Sequence, residues 1–185
     1  MTHTKKRTKR IVLTAVAFAA GTVGTLLATS VGNAAVPEAA TQVPAVKAPA
    51  ALAVPDGNTL SGVFTGRGTQ TYACTDGAWK LLEPAAVLTD KRDRPVALHS
   101  RGPVWVSTVD GSAVNASAVA TSPKDGTIPE LLLKATATRG TGVFGDVTYI
   151  QRLNTTGGVA PAGTCTGTDQ VGVRYTATYA FYKAA

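Results

Sequence analysis

From Val171 onward the chain alternates: Val171, Val173, Tyr175, Ala177, Tyr179 and Phe181 fall on one parity, and Arg174, Thr176, Thr178 and Tyr182 fall outside that set. A period of two is the mark of a half-buried antiparallel strand. The same period recurs upstream with turn residues at close intervals. Thr69 to Thr75 and Ala78 to Leu82 flank Asp76 and Gly77, and Val104 to Val109 and Ser112 to Val119 flank Asp110 and Gly111. Both pairs read as hairpins on Asp-Gly turns. Leu131 to Thr138 and Val147 to Leu153 read as further strands, and no helical stripe exceeds two turns. The expected fold class is all-β: a single antiparallel β-sandwich or barrel-like domain closed by one disulfide. Parity alone leaves sandwich and barrel both open.

Two segments precede that domain. Lys5, Lys6, Arg7, Lys9 and Arg10 stand before an apolar stretch from Ile11 to Val31, which runs into Gly32, Asn33, Ala34 and Ala35. This is the three-part layout of a secretory signal. At about 20 residues the stretch has the length of a membrane span, but Thr14, Gly21, Thr22, Gly24, Thr25, Thr29 and Ser30 dilute it, so cleavage is the expected outcome and a retained anchor the alternative. Between Val36 and Pro55 the chain is mostly Ala, Val and Pro, with prolines at 37, 44, 49 and 55, which reads as a semi-extended linker. The organisation is therefore residues 1–35 signal peptide, 36–55 linker and 56–183 all-β domain.

Charge changes meaning once the signal is removed. The whole chain is formally +7 with 18 basic and 11 acidic residues, and its isoelectric point is about 9.7. Five of those basic residues lie in the first ten positions, so the processed chain keeps 13 against 11. The usual step from a basic protein to nucleic acid loses its footing. The membrane is expected to matter only through the signal segment before cleavage.

Cys74 and Cys165 are the only cysteines. An even pair in an oxidising compartment points to a disulfide, and a metal site would need further Cys or His ligands, of which the processed chain keeps only His99. No cofactor is implied. Gly140, Gly142 and Gly145 spell G-x-G-x-x-G, but Asp146 to Leu153 is rich in β-formers and opens no helix, so the glycines are read as a tight loop with positive φ.

Gly68, Gln70, Tyr72 and Cys74, then Trp79, then His99 with Gly102, Pro103 and Trp105, then Asp110, Gly111 and Ser112 form an ordered signature. It continues through Ile128, Pro129 and Leu131 to Leu133, and through Val147, Ile150, Gln151, Arg152, Asn154, Gly157, Gly158, Ala160 and Pro161 to Cys165. In this order of motifs the chain resembles the secreted family called domain of unknown function 3455. The resemblance implies a single extracytoplasmic domain and no particular reaction.

Candidate chemistry centres on few residues. His99 is the only histidine after the signal, so general-base work near neutral pH would fall to it, with Asp110 and Ser112 as weak partners for a hydrolytic trio. No G-x-S-x-G elbow surrounds a serine, and nothing places the three together. Glu83 and Glu130, each beside a proline, are candidates for a glycosidase pair, but sequence does not give their separation and turn-flanking carboxylates are the favoured reading. Trp79 shares parity with Leu81 and is expected in the core. Trp105 shares parity with Ser107 while Val104 and Val106 point the other way; core burial is favoured, with an exposed stacking platform as the alternative.

These readings lead to a secreted or cell-envelope protein whose molecular activity the sequence does not fix, expected to be a non-enzymatic binding or structural module, with a cell-wall or extracellular glycan as the candidate partner. Trp105, His99, Asp110 and Arg152 are its ligand-binding candidates. The alternative is a small secreted hydrolase using His99.

Overall fold

A computed structural model describes residues 46–185. The signal reading and the first part of the linker lie outside the described residues.

The described chain opens with a short 3-10 turn, Ala50–Leu52, and continues as eight strands: β1 (Asn58–Thr75), β2 (Ala78–Thr89), β3 (Pro95–Ser100), β4 (Val104–Ser107), β5 (Ala113–Ser122), β6 (Glu130–Arg139), β7 (Val147–Gly157) and β8 (Gln170–Ala184). Each strand pairs antiparallel with the next, and β8 returns to pair with β1, so the sheet is a closed up-and-down barrel. Closure gives every strand a neighbour on both sides over at least part of its length. That answers the choice parity left open. The long strands decide it: β1 is bonded to β8 from Asn58↔Ala184 to Ala73↔Gln170 while its other side is bonded to β2 from Thr65 to Thr75.

Asp76 and Gly77 both have positive φ (52° and 75°), as a two-residue type I′ hairpin requires. The second expected hairpin has a longer connection, since β4 ends at Ser107 and β5 begins at Ala113. In β8, Tyr175, Ala177, Tyr179 and Phe181 point into the barrel and are buried. They meet Phe64, Leu88, Trp105, Val114, Phe144, Val147 and Ile150 in the main core.

Outside the wall of β5 to β7 lies a second, smaller cluster. Leu52 is completely buried there against Leu132 and Leu153, with Val46, Ala48 and Val54 beside it. Gln151 Nε2 donates to the Leu52 carbonyl at 2.6 Å and Gln151 Oε1 accepts from Tyr182 Oη at 2.8 Å. The end of the segment read as linker is thus strapped to the barrel. Leu52 is the reason: a leucine amid alanine and proline finds an apolar groove and leaves water.

Cys74 and Cys165 are joined across a sequence separation of 91. The bond fixes the β7–β8 loop to the β1–β2 hairpin, where Cys165 N also donates to the Gly77 carbonyl and Cys74 N to the Asp169 carbonyl. A disulfide is compatible with an extracellular protein. Among the described residues no helix is long and apolar enough to cross a membrane.

Candidate functional site

The barrel wall is uneven because β3 and β4 are short. β3 bonds to β2 only from Ala86 to Thr89, so the stretch of β2 before Ala86 has no partner on that side. β5 likewise pairs with β4 only from Ala113 to Asn115 and runs on beyond it. Above the tip of the β3–β4 hairpin this leaves a notch between β2 and β5. A cavity of about 340 Å³ occupies it, with Gln70, His99, Trp105, Leu131, Arg152 and Tyr179 among its walls. This lies within the ordinary range for a small-molecule site.

The wall of the cavity is aromatic. His99 and Trp105 are opposite each other in the β3–β4 register and their rings stack in parallel, 4.3 Å apart with a 4° tilt. Tyr179 meets both edge-on, at 5.5 and 5.7 Å. His99 is 3% exposed and Trp105 1%. His99 Nδ1 lies 3.0 Å from the Val104 carbonyl oxygen. A carbonyl only accepts, so Nδ1 carries the proton and Nε2 is left as an acceptor. Burial pushes the imidazole pKa down to about 4, against a smaller upward pull from the Val104 carbonyl. His99 is therefore neutral at physiological pH.

Two polar atoms in this wall have no partner among the described residues. Gln70 is 2% exposed and its Oε1 accepts no hydrogen bond; Trp105 Nε1 donates none. Buried polar groups are rarely orphaned, and each one left so costs about 1 to 3 kcal/mol. Arg152 completes the set. It stands between Leu131 of β6 and Tyr179 of β8 in the register, and its Nε and Nη2 both donate to the Pro129 carbonyl, at 3.2 and 2.9 Å. Tyr179 and Tyr175 share a hydrogen bond between their hydroxyls at 3.0 Å, and burial raises both pKa values, so both stay protonated.

Asp110 and Ser112 belong elsewhere. They sit in the β4–β5 connection, at the opposite end of the short strands from the β3–β4 turn. Asp110 Oδ1 accepts from Ser112 N at 2.9 Å and Ser112 Oγ at 2.6 Å, while Oδ2 accepts from Val143 N at 2.9 Å. Ser112 Oγ in turn accepts from Phe144 N at 3.0 Å. The Ser112 bonds first, then that from Val143, hold the Asp110 carboxyl far below the usual carboxylate range. The pair clamps the β6–β7 loop, whose Phe144 is fully buried against Phe181 at 4.7 Å. The glycine run lies in this loop: Gly140 and Gly142 have positive φ, and a Cβ on Gly142 would overlap the Asp110 carboxylate. The loop leads into β7 and not into a helix.

Of the residues named from sequence, His99, Trp105 and Arg152 meet in one cavity. The trio of His99, Asp110 and Ser112 is not assembled, because a β-strand separates its members. Trp105 is a wall of the cavity and not an exposed platform. Glu83 lines the cavity, whereas Glu130 Oε1 accepts from Asn154 N at 2.7 Å. Trp79 is half-buried and Leu81 exposed, because β2 there overruns the hairpin and forms the rim. Gln70 and Tyr179 join the cavity although the sequence gives neither a site role; the signal for Gln70 is an isolated amide on the parity of Tyr72. A wider depression of about 460 Å³ on the outer wall, beside Arg67, Thr69, Arg174 and Thr176, has no orphaned buried group among the described residues.

The family profile described as protein of unknown function (DUF3455) matches residues 55–183. The chain belongs to this family. The match spans the whole barrel and both cysteines. No curated protein and no solved structure matches the chain.

Proposed function

We propose that this member of the family is an exported, non-enzymatic binding module that takes one small molecule into the notch above the β3–β4 hairpin. The observation that carries this reading is the pair of orphaned polar atoms, Gln70 Oε1 and Trp105 Nε1, buried on two residues that line the same cavity. A protein leaves such groups unpaired where something else completes them. Eight-stranded barrels have room inside for side chains or for one small ligand. A glycan would enter only by a terminal ring, stacked among Trp105, His99 and Tyr179.

Nothing in the geometry favours a hydrolase. His99 is neutral, its Nδ1 proton is held by the Val104 carbonyl, and neither Asp110 nor Ser112 is hydrogen-bonded to it. The test is a fragment and monosaccharide screen of the purified protein by thermal shift and ligand-observed NMR. Hits that raise the melting temperature should lose affinity in both Gln70→Leu and Trp105→Phe. Hits indifferent to both substitutions would sink the assignment. Export is tested by N-terminal sequencing of the secreted chain, expected to begin near Ala35 or Val36.

A further inference from the structure

We infer that the ligand of this cavity is an organic carboxylate, bound through Arg152. The inference rests on the cavity being the binding site, and it is carried by a different observation. Arg152 is half-buried inside the barrel, and among the described residues it has no acidic partner within ion-pair distance. Its neighbours across the register are Leu131 and Tyr179, one apolar and one a neutral phenol. A charge moved toward an apolar interior without a counter-ion is unfavourable by several kcal/mol. Proteins otherwise pair such groups.

The other ionisable groups around the cavity do not neutralise it. His99 is uncharged, and the Tyr175 and Tyr179 hydroxyls keep their protons. Arg101 at the rim adds positive charge and Glu83 negative, and Glu83 forms no ion pair with either arginine. The deep part of the site is therefore cationic. Two of the five guanidinium N–H groups are occupied by the Pro129 carbonyl, which anchors the plane, and the Tyr179 hydroxyl lies beside the same guanidinium, which leaves part of the fork to donate to a ligand. A carboxylate is the planar anion that such a fork receives best.

The remaining groups describe the rest of the ligand. Trp105 Nε1 donates to a second acceptor, and the stacked His99–Trp105 face with Tyr179, Leu131 and Leu133 receives a flat or apolar body. Gln70 Oε1 lacks a partner among the described residues, so the ligand carries a further polar group such as a hydroxyl. A small hydroxylated acid, aromatic or cyclic, meets all of these demands.

The experiment compares acids with their matched primary amides by titration calorimetry at pH 7: 4-hydroxybenzoate with 4-hydroxybenzamide, and mandelate with mandelamide. In the wild type the acid should bind at least tenfold tighter than its amide. Arg152→Met should remove that preference, weakening the acid at least tenfold and the amide less than threefold, while Arg152→Lys keeps part of it. Arg174→Met, on the outer wall and away from this cavity, should change either ligand less than threefold. An amide that binds as well as its acid, yet still depends on Gln70, would overturn the carboxylate and leave the cavity reading standing. Binding by no member of the panel would overturn both. The wild-type comparison alone decides the matter if Arg152→Met fails to fold.

Discussion

At the end of the barrel that carries the β4–β5 and β6–β7 connections, the polar groups of the clamp find partners: Asp110 accepts from Ser112 and Val143, Ser112 accepts from Phe144 N, and Phe144 fills the space below. Around the β3–β4 hairpin the same strands enclose Gln70, Trp105 and Arg152, none of which is fully matched among the described residues. One end is packed, with Thr89 Oγ1 as its single buried polar side-chain atom without a partner among the described residues, and the other is roomy and holds two such atoms. The contrast shows where this small domain spends stability. Unmatched polar groups lower the stability of the fold, and two of the three buried ones belong to residues that line one cavity, which is the basis of the binding role proposed above.

Breaking the bond between Cys74 and Cys165 should have the largest effect. Closing a loop of 91 residues stabilises by about 4 to 5 kcal/mol in the chain-entropy model. The double variant Cys74→Ala/Cys165→Ala should show that loss in a urea titration. Because loop closure acts on the unfolded chain, amides that exchange by global opening should lose protection throughout the barrel, and the β1–β2 and β7–β8 segments that the bond ties together should lose more than the Asp110 clamp; equal loss in both places would refute a division into two ends.

Emptying the packed end comes next. Phe144→Ala removes a fully buried ring from contact with Phe64 and Phe181 and should destabilise by about 3 to 5 kcal/mol, without changing affinity in the folded fraction. Denaturant melts with and without a ligand measure both quantities. A change in affinity as large as the change in stability would mean that the ends are coupled.

Acid should separate the ends by pH. His99 has a depressed pKa in the fold, about 4 against an ordinary 6.5, so below pH 6.5 the unfolded chain binds a proton that the folded chain refuses. Stability is unaffected by His99 above that value and falls by about 3 kcal/mol as pH drops toward 4. The Asp110 carboxylate acts in a lower window: its contribution is complete above about 3.8 and is lost as pH falls further. His99→Phe should abolish the first slope and keep the second, read from melting temperatures between pH 7 and pH 3. A first slope that survives in His99→Phe would show that another group titrates there.

The smallest effect is also the most diagnostic. Gln70→Met replaces an amide that lacks a partner by an apolar chain of similar size, so stability should stay level or rise by up to about 1 kcal/mol. Ligand affinity should fall instead. A loss of stability beyond about 1 kcal/mol in thermal melts would place Gln70 among the groups that hold the barrel together.

Several parts of this structure are legible in the sequence. The Asp76-Gly77 turn, the alternation from Val171 to Phe181 and the cysteine pair are local or arithmetic signals, and each appears where expected. Trp105 shows the limit. Its parity partner Ser107 is polar, and its neighbours in sequence are valines, so period two leaves a wet face open for it. The interior in fact holds Ser107, His99 and Gln70 among its aromatics, while Leu98, 50% exposed, faces out. The inner surface of a narrow barrel is filled by a few large rings set against small or polar residues, and isolated aliphatic side chains on the outside are ordinary.

Alternation, turn residues and cysteine count thus determined that this chain forms an antiparallel, disulfide-closed β domain, because those properties depend on neighbours within a few residues or on composition. Tertiary structure decided that β8 returns to β1, that Leu52 straps the outer wall, and that Gln70, His99, Trp105 and Arg152 share a cavity while Asp110 and Ser112 clamp a loop at the other end. Those facts depend on strand lengths and registers: β3 and β4 stop short while β2 and β5 run on, and only the closed circuit of hydrogen bonds turns that difference in length into a hole.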